Sequence, residues 1–118
     1  DVPEEEYDPV LVEPFEEPEF GAPNLAELYL QTVRRSLTGY LGQTPDSDGG
    51  PFHRESRMTG SGGCTYCFTL GGLARLTHFG NVVRRAWSHN VTGDVLEAGT
   101  WQGGMCIYIA AIAAAYPY

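Results

Sequence analysis

The first twenty residues hold no basic side chain, although nine of the fifteen acids of this 118-residue chain lie there: Asp1, Glu4, Glu5, Glu6, Asp8, Glu13, Glu16, Glu17 and Glu19. Taking nine from fifteen leaves six acids against seven arginines, so residues 21–118 sit near +1 while the whole chain carries −8. A near-neutral body lacks the basic patch that nucleic-acid binding needs, and no nucleic-acid partner is expected. Pro3, Pro9, Pro14 and Pro18 interrupt the acidic stretch, whose apolar content cannot offset the cost of chain ordering. Residues 1–23 are therefore read as a disordered acidic tail. An initiator Met is missing, and so is a basic run leading into an apolar one; no secretory signal is visible, and a cytoplasmic protein is the expectation. Long apolar runs are missing too. The stretch Met105–Ala115 falls well short of the about 20 residues that span a bilayer, so no membrane partner is expected.

Cysteine is scarce. Cys64-Thr-Tyr-Cys67 has no second pair, which leaves a zinc site unsupported. Cys64, Cys67 and Cys106 are read as incidental thiols, with a disulfide or redox role for the pair as the alternative. His53, His78 and His89 show no H-x-x-x-H spacing, and Ser61 has no base partner in view, so neither a metal centre nor a nucleophilic mechanism is indicated.

Asn24 reads as the N-cap of a helix in which Leu25, Leu28, Tyr29, Val33 and Leu37 recur at three- and four-residue steps, ending near Gly39. Residues 42–63, rich in Gly, Ser, Pro and Asp, read as a long flexible loop. Leu73, Leu76, Phe79, Val83 and Trp87 line one face of a second helix over about 72–89. Arg34-Arg35 and Arg84-Arg85 are read as solvated helix faces. Gly93-Asp94 then leads into a short strand at Val95-Leu96, and "GMCIYIAAIAAAY" forms a third helix, apolar nearly all round and so expected to be buried.

The segment "DVLEAGTWQGG" (94–104) joins that strand to that helix. Gly99 permits a tight turn with positive φ and lets a ligand approach the backbone. The spacing Gly99-x-x-x-Gly103-Gly104 does not fit the dinucleotide fingerprint G-x-G-x-x-G. A pyrophosphate would also be repelled by Glu97, whereas the sulfonium and ammonium groups of S-adenosylmethionine (SAM) would be attracted. The residues thus favour SAM over a nicotinamide dinucleotide, with a purely structural strand-turn-helix as the third reading.

"GDVLEAGTWQGGMCIYIAAI" resembles the first motif of the macrocin O-methyltransferase (TylF-type) family, in which an acid, Gly, an apolar residue, Trp and a Gly-Gly pair recur in this order. "LYLQTVRRSLTGYL" resembles that family's N-terminal helix, and "TLGGLARLTHFGNVVRRAW" resembles the Thr-containing helix before the motif. The resemblance covers about residues 25–115, departing at Thr100, where an aliphatic residue is usual, and Gln102, where Arg is common. It implies an α/β fold: a partial Rossmann-like SAM-methyltransferase with N-terminal lid helices, of which only the first strand and following helix of the sheet are present. The divisions expected are the tail at 1–23, a lid helix and flexible loop at 24–63, and the start of the SAM-binding domain at 64–118. It implies further that Glu97, Ala98, Gly99, Thr100 and Trp101 contact SAM, and that Thr69 and Leu70 close over its methionine end. The acceptor would be a hydroxyl of a sugar or related small molecule.

What such an enzyme also needs is not found in these residues: an acid at the end of a second strand, metal-binding aspartates and a general base. Magnesium is expected only in a full-length enzyme, and neither catalytic nor metal-binding residues are assigned to this chain. The expectation is a partial sequence that does not transfer methyl groups alone; the alternative is a non-catalytic truncated paralogue serving as a binding or scaffold protein.

Overall fold

The computed structural model describes residues 24–116. The acidic tail expected at 1–23 lies outside the described residues. Among the described residues four helices follow one another: α1 (Leu25–Leu37), α2 (Arg54–Thr59), α3 (Leu73–Ser88) and α4 (Gly104–Ala115). Asn24 caps α1 as expected, its side-chain oxygen accepting from the Ala26 and Glu27 amides at 3.1 and 3.4 Å. The helix at 72–89 is found at Leu73–Ser88, with Gly72 at its N-cap.

α1, α3 and α4 enclose one core of Leu30, Leu37, Leu76, Val83, Tyr108, Ala111 and Ile112. Leu30, Leu76 and Ile112 are wholly removed from solvent, each worth about 1.5–3 kcal/mol of apolar burial. Gly80 makes room for the Tyr108 ring, since a Cβ there would lie 2.5 Å from the phenolic oxygen. α4 does not bury its whole circumference: Tyr108, Ala111 and Ile112 face the core, whereas Cys106 and Ile107 are exposed.

The expected apolar stripe of α1 is displaced. Leu25 is 77% exposed, and Leu28 and Tyr29 are also exposed, while Leu30, Arg34 and Leu37 are turned inward. Arg34 is therefore not a solvated residue. Its Nη1 donates to the Tyr108 hydroxyl at 2.8 Å and its Nη2 to Glu27 Oε1 at 2.9 Å. Burial works against its charge, but these two bonds more than compensate and raise its pKa. Arg84 is half-buried, pairing with Glu27 at 3.3 Å and lying 4.2 Å from the centre of the Tyr116 ring; Arg85 is exposed.

Two further expectations are corrected. Within the segment read as loop, 42–63, lies α2, whose buried Arg57 organises its surroundings. Its Nη2 donates to the Thr44 and Pro45 carbonyls at 2.9 and 3.1 Å and pairs with Asp46 at 2.6 Å, while Nη1 donates to the Gly63 carbonyl at 3.2 Å. The strand expected at Val95-Leu96 does not form: among the described residues the β structure amounts to one isolated antiparallel bridge, Asp46 to Cys64. A strand is defined by its neighbours, and no described segment pairs with 95–96. The α/β expectation thus appears here as its helical part. Finally, Cys64 and Cys67 are joined by a disulfide, α carbons 5.5 Å apart, in place of the incidental thiols expected.

Candidate cofactor-binding corner

Residues 94–103 are non-helical and α4 starts at Gly104. The chain turns through three left-handed residues, Gly99 (φ +80°), Trp101 (φ +47°) and Gly103 (φ +78°). Glycine accepts such angles freely, but Trp101 does not, and holding it there costs on the order of 1–2 kcal/mol. The Gly103 amide donates to the Thr100 carbonyl at 2.9 Å and closes the turn. Apart from its two chain neighbours, no atom lies within 4 Å of where a Gly99 Cβ would stand, so the space on that side of Gly99 is open.

Glu97 is half-buried just before the turn. Its Oε2 accepts a hydrogen bond from the Cys106 thiol at 2.9 Å, leaving Oε1 without a hydrogen-bond partner among the described residues. That bond, and to a lesser degree burial, raises the Cys106 pKa above its ordinary value. Cys106 had no role in the reading of the residues, which put it inside a buried helix. The signal was its position: side chains in a helix lean towards its N-terminus, so the third residue of α4 reaches back towards Glu97.

The remaining expected contacts are spread around this corner. Ala98, Thr100 and Trp101 are exposed, Trp101 at 55%. Thr69 is buried beside the start of α4, where a Cβ on Gly104 would come 2.7 Å from its own Cβ; its hydroxyl oxygen accepts from the Gly71 amide at 3.1 Å. Leu70 is half-exposed. Thr69 and Leu70 also line a cleft with Arg57 and Cys64 of about 10 Å³, room for a single water and not for a cofactor. Thr69 is thus brought to the N-terminus of α4. Among the described residues, no three His, Cys, Asp or Glu side chains are grouped to hold a metal ion. No described helix is long and apolar enough to cross a membrane.

Helices packed in this order on one core, the last of them preceded by an acid-and-glycine corner, make a methyltransferase-like fold. The solved O-methyltransferase NovP superposes with a TM-score of 0.70 at 28% identity, covering 76% of this chain and 37% of its own. The family model of macrocin O-methyltransferase (TylF) matches residues 26–117, and the chain belongs to that family. It is 35% identical over 95 residues to mycinamicin III 3''-O-methyltransferase of Micromonospora griseorubida, covering 76% of this chain and 37% of that protein. Identity is 30% over 97 residues to demethyldecarbamoylnovobiocin O-methyltransferase of Streptomyces niveus, 77% and 37% covered. It is also 30% over 95 residues to 8-demethyl-8-(2,3-dimethoxy-alpha-L-rhamnosyl)-tetracenomycin-C 4'-O-methyltransferase of Streptomyces olivaceus, 76% and 36% covered. The chain thus spans less than two-fifths of the length of these relatives.

Proposed function

We propose that this chain is the N-terminal part of a SAM-dependent O-methyltransferase acting on a hydroxyl of a sugar or related small molecule. The observation that carries this reading is the open corner at 97–101: an acid with one free carboxylate oxygen, then an unobstructed left-handed glycine. An anion beside exposed backbone suits a cationic methyl donor and disfavours a pyrophosphate. Membership of the family and the names of the relatives support the chemistry.

SAM, when bound, would supply an electrophilic methyl group for transfer to an acceptor hydroxyl. The chain's own part is positioning and electrostatics. Glu97 would pair with the donor's ammonium group through Oε1. Ala98, Gly99, Thr100 and Trp101 would offer backbone and ring surface, and Thr69 and Leu70 would close over the methionine end. The helix at 25–37 and the segment after it would belong to a lid over the acceptor. Neither the general base nor magnesium binding is assigned to residues 24–116.

Calorimetric titration of SAM against the wild-type chain and Glu97→Ala tests the cofactor reading. Loss of a charge-assisted bond of about 1.5–3 kcal/mol should weaken binding by roughly 10- to 100-fold. Equal affinities would remove Glu97 from the site. Incubated with labelled SAM and candidate sugar hydroxyls, the 118-residue chain alone should transfer no label above background; transfer would show that the catalytic groups are already here.

A further inference from the structure

The Cys64–Cys67 disulfide closes a ring of only four residues, so it removes little freedom from the unfolded chain compared with a long-loop bridge. Its influence is local: it sets the path along which the chain leaves Cys67. Directly beyond, the Phe68 and Thr69 amides both donate to the Leu37 carbonyl, at 2.9 and 3.3 Å, and the Phe68 carbonyl accepts from the Gly104 amide at 3.0 Å. These bonds form a seam between the last residue of α1 and the first of α4. On the other side of the disulfide, Cys64 is bridged to Asp46, and the Ser47 amide donates to the Gly63 carbonyl at 3.3 Å. The disulfide therefore couples the loop held by Arg57 to the seam next to the Glu97–Trp101 corner.

Space around the sulfurs is limited. Cys67 is fully buried, and its sulfur is so close to Gly39 that a Cβ there would lie 2.6 Å from it. Bonded sulfurs stand about 2 Å apart, whereas two thiols need roughly 3.5 Å or more. Gly39 closes one direction to the Cys67 sulfur, so the sulfurs part either by rotation of the Cys64 side chain or by movement of residues 64–68, and only the second carries the seam with it.

We propose that the Cys64–Cys67 disulfide is a redox-operated latch. Oxidised, it holds Phe68 and Thr69 between α1 and the start of α4; reduction by a dithiol releases them. Cys64, 6% exposed against 0% for Cys67, is the residue of the pair nearer to solvent, and its sulfur is taken as the point of attack by an incoming thiolate. A mixed disulfide forms there and Cys67 leaves as a thiolate that takes up a proton. The second thiol of the reductant then displaces Cys64, so the dithiol ends as a cyclic disulfide and two electrons and two protons have passed to the cysteines. The latch stands on the geometry of the seam; its consequence for methyl-donor binding rests on the function proposed above.

Amide hydrogen exchange on the 118-residue chain, oxidised and then reduced with dithiothreitol, tests it. On reduction the Thr69 and Gly104 amides should exchange about 10-fold faster or more, while Val83 in the middle of α3 keeps its rate, since local opening need not involve the rest of the core. Reoxidation should restore the slow rates, and dithiothreitol should change nothing in a Cys64→Ser/Cys67→Ser chain. Equal seam rates in both states of the wild type would overturn the proposal, as would an equal acceleration of Val83, which would make the bond an ordinary global staple. Alkylation of Cys64 and Cys67 as free thiols after air oxidation would overturn it as well. SAM titrated into the same two samples separates the two readings: weaker binding on reduction extends the latch to the cofactor. Failure to bind in either state refutes the corner as a SAM site, and the exchange rates still decide the latch.

Discussion

The hydrogen bond from Cys106 to Glu97 Oε2 has a consequence that can be read at one atom. A thiol pKa raised above 9.0 keeps Cys106 protonated near neutrality, and the carboxylate is the first cause of that rise. Removing the carboxylate in Glu97→Ala lowers the pKa towards 9.0, so more thiolate exists at pH 8 and iodoacetamide should alkylate Cys106 severalfold faster. Intact-mass measurement of the rate checks this, and an unchanged rate would deny the pairing. Gly80 offers a second single-residue test. Gly80→Ala would bring a methyl group to 2.5 Å from the Tyr108 hydroxyl, which is itself tied to Arg34. The ring is fully buried and has little room to retreat, so overpacking of about 1–3 kcal/mol is expected in denaturant unfolding. Little of this was legible beforehand: a glycine inside an apolar helical pattern does not announce which ring will lie against it.

Among the elements, α1 shows best what periodicity can and cannot tell. Its boundaries were legible, because Asn24 caps the amides of its own first turn and that chemistry is complete within three residues. Its buried face was not. Leu25, Leu28 and Tyr29 form as good a stripe as Leu30 and Leu37, and the choice fell to the helices that pack against them. α2 was missed because six residues carry too short a pattern, and because its anchor is an arginine. The cluster around that arginine is pH-sensitive. The His53 hydrogen bond at 2.8 Å, and after it Arg57, lower the Asp46 pKa below its ordinary 3.8 against an opposing burial effect. A folded-state pKa below the unfolded one contributes stability that is complete above the unfolded value and is lost as pH falls through the folded one. Segment 44–63 should therefore loosen below about pH 4, seen as changes at the Gly63 amide in an NMR titration from neutral pH downwards. A Gly63 signal constant to the acid limit, with the helices still folded, would contradict it.

Taken as a molecule, residues 24–116 hold one core between three helices, with an extended segment carrying Leu96 at 89% exposure. None of the backbone bonds found outside the helices involves Val95 or Leu96. Their amides should exchange at rates close to those of an unstructured peptide, in contrast to Leu76 and Ile112; protection at 95–96 would reveal a partner strand. The glycine corner and the helix after it were legible because their residues are contiguous. The strand itself did not follow, since its hydrogen bonds have to come from elsewhere. Capping, helix period and the left-handed corner are properties of neighbouring residues, and the amino-acid order determined them, along with membership of the TylF family. Tertiary structure alone decided that Arg34 is buried, which arc of α1 faces inward, and that Phe68 joins two helices. Each of these depends on a group far along the chain, as with Arg34 and Tyr108, 74 positions apart, and a local pattern carries no record of such a partner.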